Sequence, residues 1–136
     1  MPRIERFEDI DAWKAGRMLV KDIYAVASHK PFAADFGFKD QLTRAAVSIT
    51  SNIAEGFDRG TDREFLQFLK VAKGSTAEVK SLLYTAFDLG YIAADEFGRL
   101  LHDTTIVGMM LSSFMTYLKN SCATKPSPPS CPRPTN

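Results

Sequence analysis

Apolar side chains recur at spacings of three and four residues in four stretches of this chain, which is the period of an amphipathic α-helix. The alternation of every second residue that is typical of a strand is not sustained anywhere in the sequence. The pattern predicts helices over residues 9–28, 39–57, 62–89 and 94–120. Four helices of about five turns, joined by short connectors, predict an all-α fold: an antiparallel up-down four-helix bundle.

Local signals mark several of the predicted helix ends. Pro31 follows the first helix, and a proline disfavours helical geometry in the residue before it. Thr61 and Glu64 have the spacing of a capping box, in which the threonine side chain accepts from the Glu64 amide and the glutamate reaches back. Gly90 is placed to cap the end of the third helix, because glycine adopts the left-handed conformation that such a cap requires.

The surface of the second predicted helix consists of alanine, serine, threonine and asparagine rather than lysine and glutamate. Its apolar face is formed by Leu42, Ala45, Ile49 and Ile53. A second band holds small or hydrogen-bonding side chains, namely Ser48, Ser51, Asn52 and Glu55. Such a helix can approach neighbours closely on more than one side, which suits a bundle that also packs against copies of itself.

Three glycines inside predicted helices indicate further close contacts. Gly16, Gly74 and Gly108 each cost about 1 kcal/mol relative to alanine in a helix interior. That cost is usually offset by a close helix–helix approach. These positions are therefore candidate contacts within one subunit or between subunits.

Length and composition predict one domain followed by a tail. At 136 residues the chain suits a single core, which we assign to residues 1–120. Residues 121–136 are rich in proline and serine and predict a flexible, disordered tail. The tail region holds both cysteines, Cys122 and Cys131, interpreted as reduced thiols or as one bridge closing a short loop.

Charge and hydropathy indicate a cytoplasmic protein that does not enter a membrane. The sequence has no apolar run of membrane-spanning length, and its first residues have no apolar signal core. The net charge is +1, so no overall attraction to a polyanion is expected.

The sequence favours a protein that is not an enzyme and that holds no metal or cofactor. The Glu-x-x-His pairs of di-iron bundles are missing from the sequence, and His29 and His102 have no partner at ligand spacing. A hydrolase using Ser48 or Ser51 ranks last, because no nucleophile-elbow motif surrounds them.

Three polar residues of the second and third helices form a candidate polar core: Asn52, Glu55 and Glu78. Antiparallel pairing of the two helices would bring these three residues to similar heights along the bundle, where they could face one another. Two interpretations are open. The residues form interhelical hydrogen bonds and ion pairs that fix register, or they bind a small molecule or metal inside the bundle.

Basic residues bracket the same two helices and form a candidate partner-binding set: Arg44, Arg59, Arg63, Lys70 and Lys73. In a monomer they would form an ordinary solvated face. Repeated around a ring of subunits, they would form a positive belt able to hold a polyanion.

The sequence resembles a known family. Its motifs occur here in order at residues 7–14, 41–56, 64–69, 72–75 and 89–91. The run Gln-Leu-Thr-Arg-Ala-Ala-Val-Ser-Ile-Thr-Ser-Asn-Ile-Ala-Glu-Gly resembles the signature of four-helix bundle proteins encoded in intervening sequences of bacterial 23S rRNA genes. That family includes the accessory variability protein of diversity-generating retroelements. Thr50 replaces a proline of the signature, so the kink expected there should be absent or milder.

The resemblance implies a non-catalytic, homopentameric bundle. In the retroelement branch, the basic surface of the ring contacts a reverse transcriptase and template RNA. The expectation for this chain is therefore an oligomeric scaffold whose partners are RNA or a reverse transcriptase.

Overall fold

The computed structural model describes residues 4–123 as an all-α bundle, as predicted. Its four long helices are α1 (Asp11–Ala27), α2 (Phe36–Asp58), α3 (Asp62–Asp88) and α4 (Ala94–Ala123). Two short 3-10 helices, Phe7–Asp9 and Phe32–Ala34, precede α1 and α2. The predicted tail from residue 124 onwards lies outside the described residues, as do Cys131 and the side chain of Cys122.

Each long helix packs against the next in sequence, and α4 packs against α1. This order of contacts closes an up-down bundle, because short connectors force consecutive helices to run antiparallel. The core is a continuous apolar cluster that draws on all four helices, with Ile23, Ile49, Leu83 and Leu111 at 0% exposure. Phe32, in the connector before α2, is also fully buried and covers one end of this core.

The predicted caps of α3 are confirmed. The Glu64 amide donates to Thr61 Oγ1 at 3.2 Å, and the Thr61 hydroxyl donates to Glu64 Oε1 at 3.2 Å. Gly90 has φ of +76°, the left-handed region that favours glycine at a helix end. Both ends of α3 are therefore determined by residues within a few positions of the end.

α2 and α4 are longer than their apolar spacing predicts. α2 begins at Phe36 because the Asp35 carboxylate caps it, accepting from the Phe38 amide at 3.3 Å. The helix also continues without interruption through Thr50, whose hydroxyl donates to the Val47 carbonyl at 3.0 Å. α4 runs to Ala123, past the predicted domain boundary.

Two of the three predicted glycine contacts exist within one chain. A Cβ at Gly16 would lie 3.0 Å from Thr50 Cγ2, and one at Gly108 would lie 3.3 Å from Thr76 Oγ1. Gly56 is tighter still, since a Cβ there would lie 2.5 Å from Phe68 Cβ. Gly74 differs: a Cβ there would meet nothing within 4 Å. The close contact predicted for Gly74 therefore does not occur within the described chain.

Candidate interaction surfaces

A small polar cluster lies in the seam between α2 and α3. The Ser75 hydroxyl donates to Ser48 Oγ at 2.9 Å. The Asn52 side-chain amide donates to the same oxygen at 3.0 Å and to the Ser48 carbonyl at 2.7 Å. Because these uncharged groups satisfy one another, the seam is polar but needs no buried charge. The cluster also fixes the level at which α2 faces α3.

The outer side of this seam is a surface of small, uncharged side chains that we call the α2–α3 face. Its members are Ser48, Ser51, Asn52, Val71, Gly74 and Ser75. Val71 is 54% exposed, and Gly74 opens onto free space. A mid-helix glycine costs about 1 kcal/mol relative to alanine, and no contact within the described chain accounts for it here. The face therefore allows another backbone to approach closely.

Charged residues flank the two ends of the α2–α3 face. One turn beyond the Ser48–Ser75 contact lie Arg44 on α2 and Glu78 on α3. At the opposite end, Arg59 Nη2 lies 2.8 Å from Glu55 Oε2. Each end thus carries one positive and one negative side chain, an arrangement that a second copy of the same surface can complement.

The predicted polar core is wrong for Glu55 and Glu78, because both side chains are exposed. On α2 the inward positions are taken by Ile49, Ile53 and Gly56. Glu55 is two residues from Ile53, so it lies about 200° around the helix axis from it. Asn52 does lie in the seam, but its amide bonds to Ser48 and it is only half-buried. An internal ligand site formed by these three residues is not present.

The predicted basic set divides into two groups in the structure. Arg44 and Arg59 belong to α2 and its C-terminal end, and each pairs with a carboxylate on the same helix: Arg44 with Asp40 at 3.7 Å and Arg59 with Glu55. The Arg59 guanidinium also lies 5.0 Å from the centre of the Phe68 ring. The remaining three, Arg63, Lys70 and Lys73, lie on the exposed surface of α3. They are spaced seven and three residues apart, so they share one stripe.

An apolar groove that sequence reasoning missed lies between the start of the chain and α4. It has a volume of about 670 Å³, and its walls include Ile10, Ile106, Met109, Met110 and Phe114. The carboxylates at its rim are exposed, and Asp11 pairs with Lys14 at 3.9 Å. The two adjacent methionines, one of which falls outside the buried stripe of α4, are the sequence signal for it.

A hydrogen bond between Asp35 and Tyr91 joins two connectors at one end of the bundle. Tyr91 Oη donates to Asp35 Oδ2 at 2.7 Å, and its ring stacks on Phe32 at a centroid distance of 5.1 Å. This hydrogen bond raises the pKa of Tyr91, with smaller contributions from burial and from the negative charge of Asp35. This hydrogen bond has a structural role, because it holds the α3–α4 connector against the start of α2.

Residues 4–123 contain no group of three or more His, Cys, Asp or Glu side chains arranged to hold a metal ion. The helices of the same residues lack an uncharged apolar stretch of the length that spans a bilayer.

The fold and its surfaces define a small all-α bundle protein with candidate contact faces on its helices. The sequence matches the family described as 23S rRNA-intervening sequence protein over residues 8–113, and the chain belongs to that family. The fold is similar to the crystal structure, at 1.70 Å resolution, of a protein of unknown function from the S23 ribosomal protein family of Bacteroides thetaiotaomicron. The TM-score is 0.70 at 20% identity, over 76% of this chain and 97% of the other. No protein with a curated description matches the sequence significantly.

Proposed function

We propose that this chain is a non-catalytic scaffold that assembles with copies of itself through the α2–α3 face and binds RNA through its basic residues. The observation that carries the proposal is the α2–α3 face itself. It is a surface of small uncharged side chains, with an open helical glycine and with both signs of charge at each end.

The chemistry of the face supports self-association. Val71 and Gly74 expose apolar and backbone surface where solvated helices carry lysine or glutamate. Side chains of both signs at each end let the face contact a copy of itself, or a neighbouring face of the same charge pattern, with opposite charges facing each other. The family resemblance supports five copies.

The position of the basic stripe supports RNA binding by the assembly. Arg63, Lys70 and Lys73 are exposed and belong to the same helix as Gly74. In a closed ring each copy adds one such stripe, so the positive charge is multiplied although each chain has a net charge of only +1. The resemblance supports a reverse transcriptase as a second partner of the same surface.

The assembly is tested with two lysine substitutions at open helical glycines. A Cβ at Gly74 or Gly98 would meet nothing within 4 Å apart from the adjacent helix backbone, so lysine fits both positions in a single chain. We expect Gly74→Lys to dissociate the oligomer into subunits of 15.1 kDa, measured by light scattering, and Gly98→Lys to leave its mass unchanged. A monomeric wild-type protein, or equal masses for the two variants, would contradict the assembly.

RNA binding is tested by its dependence on salt. For a single strand, the slope of log affinity against log salt is about −0.7 for each phosphate neutralised. We expect the Lys70→Gln/Lys73→Gln double variant to bind RNA less tightly and with a shallower slope. The charge-matched control Lys21→Gln/Lys30→Gln, at exposed positions on and after α1, should keep the wild-type slope. RNA binding that does not change with salt would rule out this mode.

A further inference from the structure

A second surface lies on the other side of α3, where this helix meets α4; we call it the α3–α4 face. The side of α4 that belongs to it is fixed by Gly108, which packs against Thr76 of α3. From that contact, steps of three and four residues along each helix identify the neighbours on the same side. Between the helices the face is formed by Ala77, Thr105, Gly108 and Ser112.

Four lysines border this face. Lys70, Lys73 and Lys80 follow α3, and Lys119 lies near the end of α4. Among the described residues, none of the four has a carboxylate within ion-pair distance. Their charge is therefore not neutralised by an ion pair, in contrast to that of Arg44 and Arg59.

Alongside these lysines, over residues 70–80 of α3 and 97–119 of α4, the acidic residues lie elsewhere. Between residues 97 and 119, the acidic residue of α4 is Asp103. It is five residues before Gly108 and so lies about 140° around the helix from it, towards α1. On α3, Glu78 lies at the end of the α2–α3 face, two residues and about 200° from Lys80. Between residues 70 and 80 the two sides of α3 thus differ in charge, whereas Asp88, at the end of the helix, lies on the same side as the lysines.

An aromatic cluster continues the face beyond Lys80. Tyr84 lies one turn further along α3, and Phe87 lies one turn beyond that. Both rings contact Phe97 of α4, with centroid distances of 5.0 Å for Tyr84 and 4.7 Å for Phe87. Tyr84 is 52% exposed and Phe87 39% exposed, so Phe97 positions rings whose other sides are open to solvent.

We propose that the α3–α4 face binds single-stranded nucleic acid, with phosphates along its lysines and an unpaired base stacked on Tyr84 or Phe87. This proposal rests on the RNA binding proposed above and specifies the face and the form of the ligand. A positive track that ends in exposed aromatic rings is the combination that single-strand-binding proteins use. A duplex fits less well, because its bases are stacked on each other and are not available to the rings.

The test compares a base-bearing strand with an abasic one. The probes are an oligouridylate of about ten nucleotides, within the site sizes of single-strand-binding folds, the same length of abasic ribose-phosphate strand, and an RNA duplex. We expect the wild-type protein to bind the oligouridylate about 5- to 150-fold more tightly than the abasic strand, which corresponds to one stacked base.

Substitutions separate the rings from the lysines. Tyr84→Ala should reduce the preference for the oligouridylate over the abasic strand, while the salt dependence of binding stays unchanged. Tyr84→Phe should retain the preference. Tyr24→Ala is the matched control, because Tyr24 is an exposed tyrosine on α1. Lys80→Gln should weaken the binding of the oligouridylate and of the abasic strand by the same factor.

Each contrary result overturns a different statement. Equal affinity of the wild-type protein for the base-bearing and abasic strands would overturn the stacking site and leave the proposed RNA binding intact. Equal affinity for the duplex would overturn the preference for single strands. A change of oligomer mass in Tyr84→Ala would make this face a subunit contact instead. Failure to bind any of the probes at low salt would overturn the proposed RNA binding as well.

Discussion

The packing of α2 against α3 at Gly56 yields a quantitative prediction for Gly56→Ala. The new Cβ would lie 2.5 Å from Phe68 Cβ and 3.0 Å from Phe65 Cδ1. Carbon atoms in contact are normally about 3.5–4.0 Å apart, so the two helices must separate by about 1 Å here. Rotating the Phe68 side chain does not relieve the first contact, because its Cβ is fixed to the backbone.

Two opposing contributions determine the size of the effect. Overpacking of this kind costs about 1–3 kcal/mol, and the short distance favours the upper half of that range. Replacing a helical glycine by alanine returns about 1 kcal/mol. We therefore expect the free energy of unfolding to fall by about 1–2 kcal/mol, which lowers the Tm of a chain of this size by about 4–8 °C.

The assay is urea unfolding followed by far-UV circular dichroism, with all variants at one protein concentration because association also affects stability. Gly98→Ala is the control: its Cβ meets nothing within 4 Å, so it should be stabilised by about 0.5–1 kcal/mol. If Gly56→Ala proves as stable as the wild-type protein, the close approach of α2 and α3 at this point is wrong.

Two further variants test the ends of the helices. Thr61→Ala removes the cap of α3 and should lower the free energy of unfolding by about 1 kcal/mol in urea titrations, whereas Thr61→Ser should retain most of it; equal stability of all three proteins would contradict the role of the cap. Tyr91→Phe tests the link to Asp35 through pH. The folded-state pKa of Tyr91 is raised, so its contribution is complete below the unfolded value of about 10 and is lost as the pH rises through the folded value. Above a pH of about 10, the urea midpoint of the wild-type protein should therefore fall more steeply with pH than the midpoint of Tyr91→Phe. Parallel profiles would refute the assignment.

The helices were predictable because their signals are local. Periodic apolar spacing identified all four, and Thr61 with Gly90 gave both ends of α3 correctly. The start of α2 was predicted too late because Phe36 and Gly37 are poor helix formers, whereas the cap at Asp35 depends on a side-chain hydrogen bond. Local propensity and capping compete at such an end.

The surfaces were harder to predict, because they depend on how the helices are rotated and on their register. The spacing of Asn52, Glu55 and Glu78 was compatible with similar heights along two antiparallel helices. It did not give the direction in which each side chain points. The register is set by distant contacts, Gly56 against Phe68 and Ser48 against Ser75. Similarly, the aromatic cluster exists only because α4 returns beside α3, which brings Phe97 to Tyr84.

The two oxygens of Asp35 connect parts of the chain that are far apart in sequence. One accepts from the Phe38 amide in the first turn of α2, and the other accepts from Tyr91, 56 residues away. Fraying of that turn would therefore also loosen the connector that leads into α4. Hydrogen exchange at this end of the bundle should accordingly report a single cooperative opening, in which the first turn of α2 and the α3–α4 connector lose protection together.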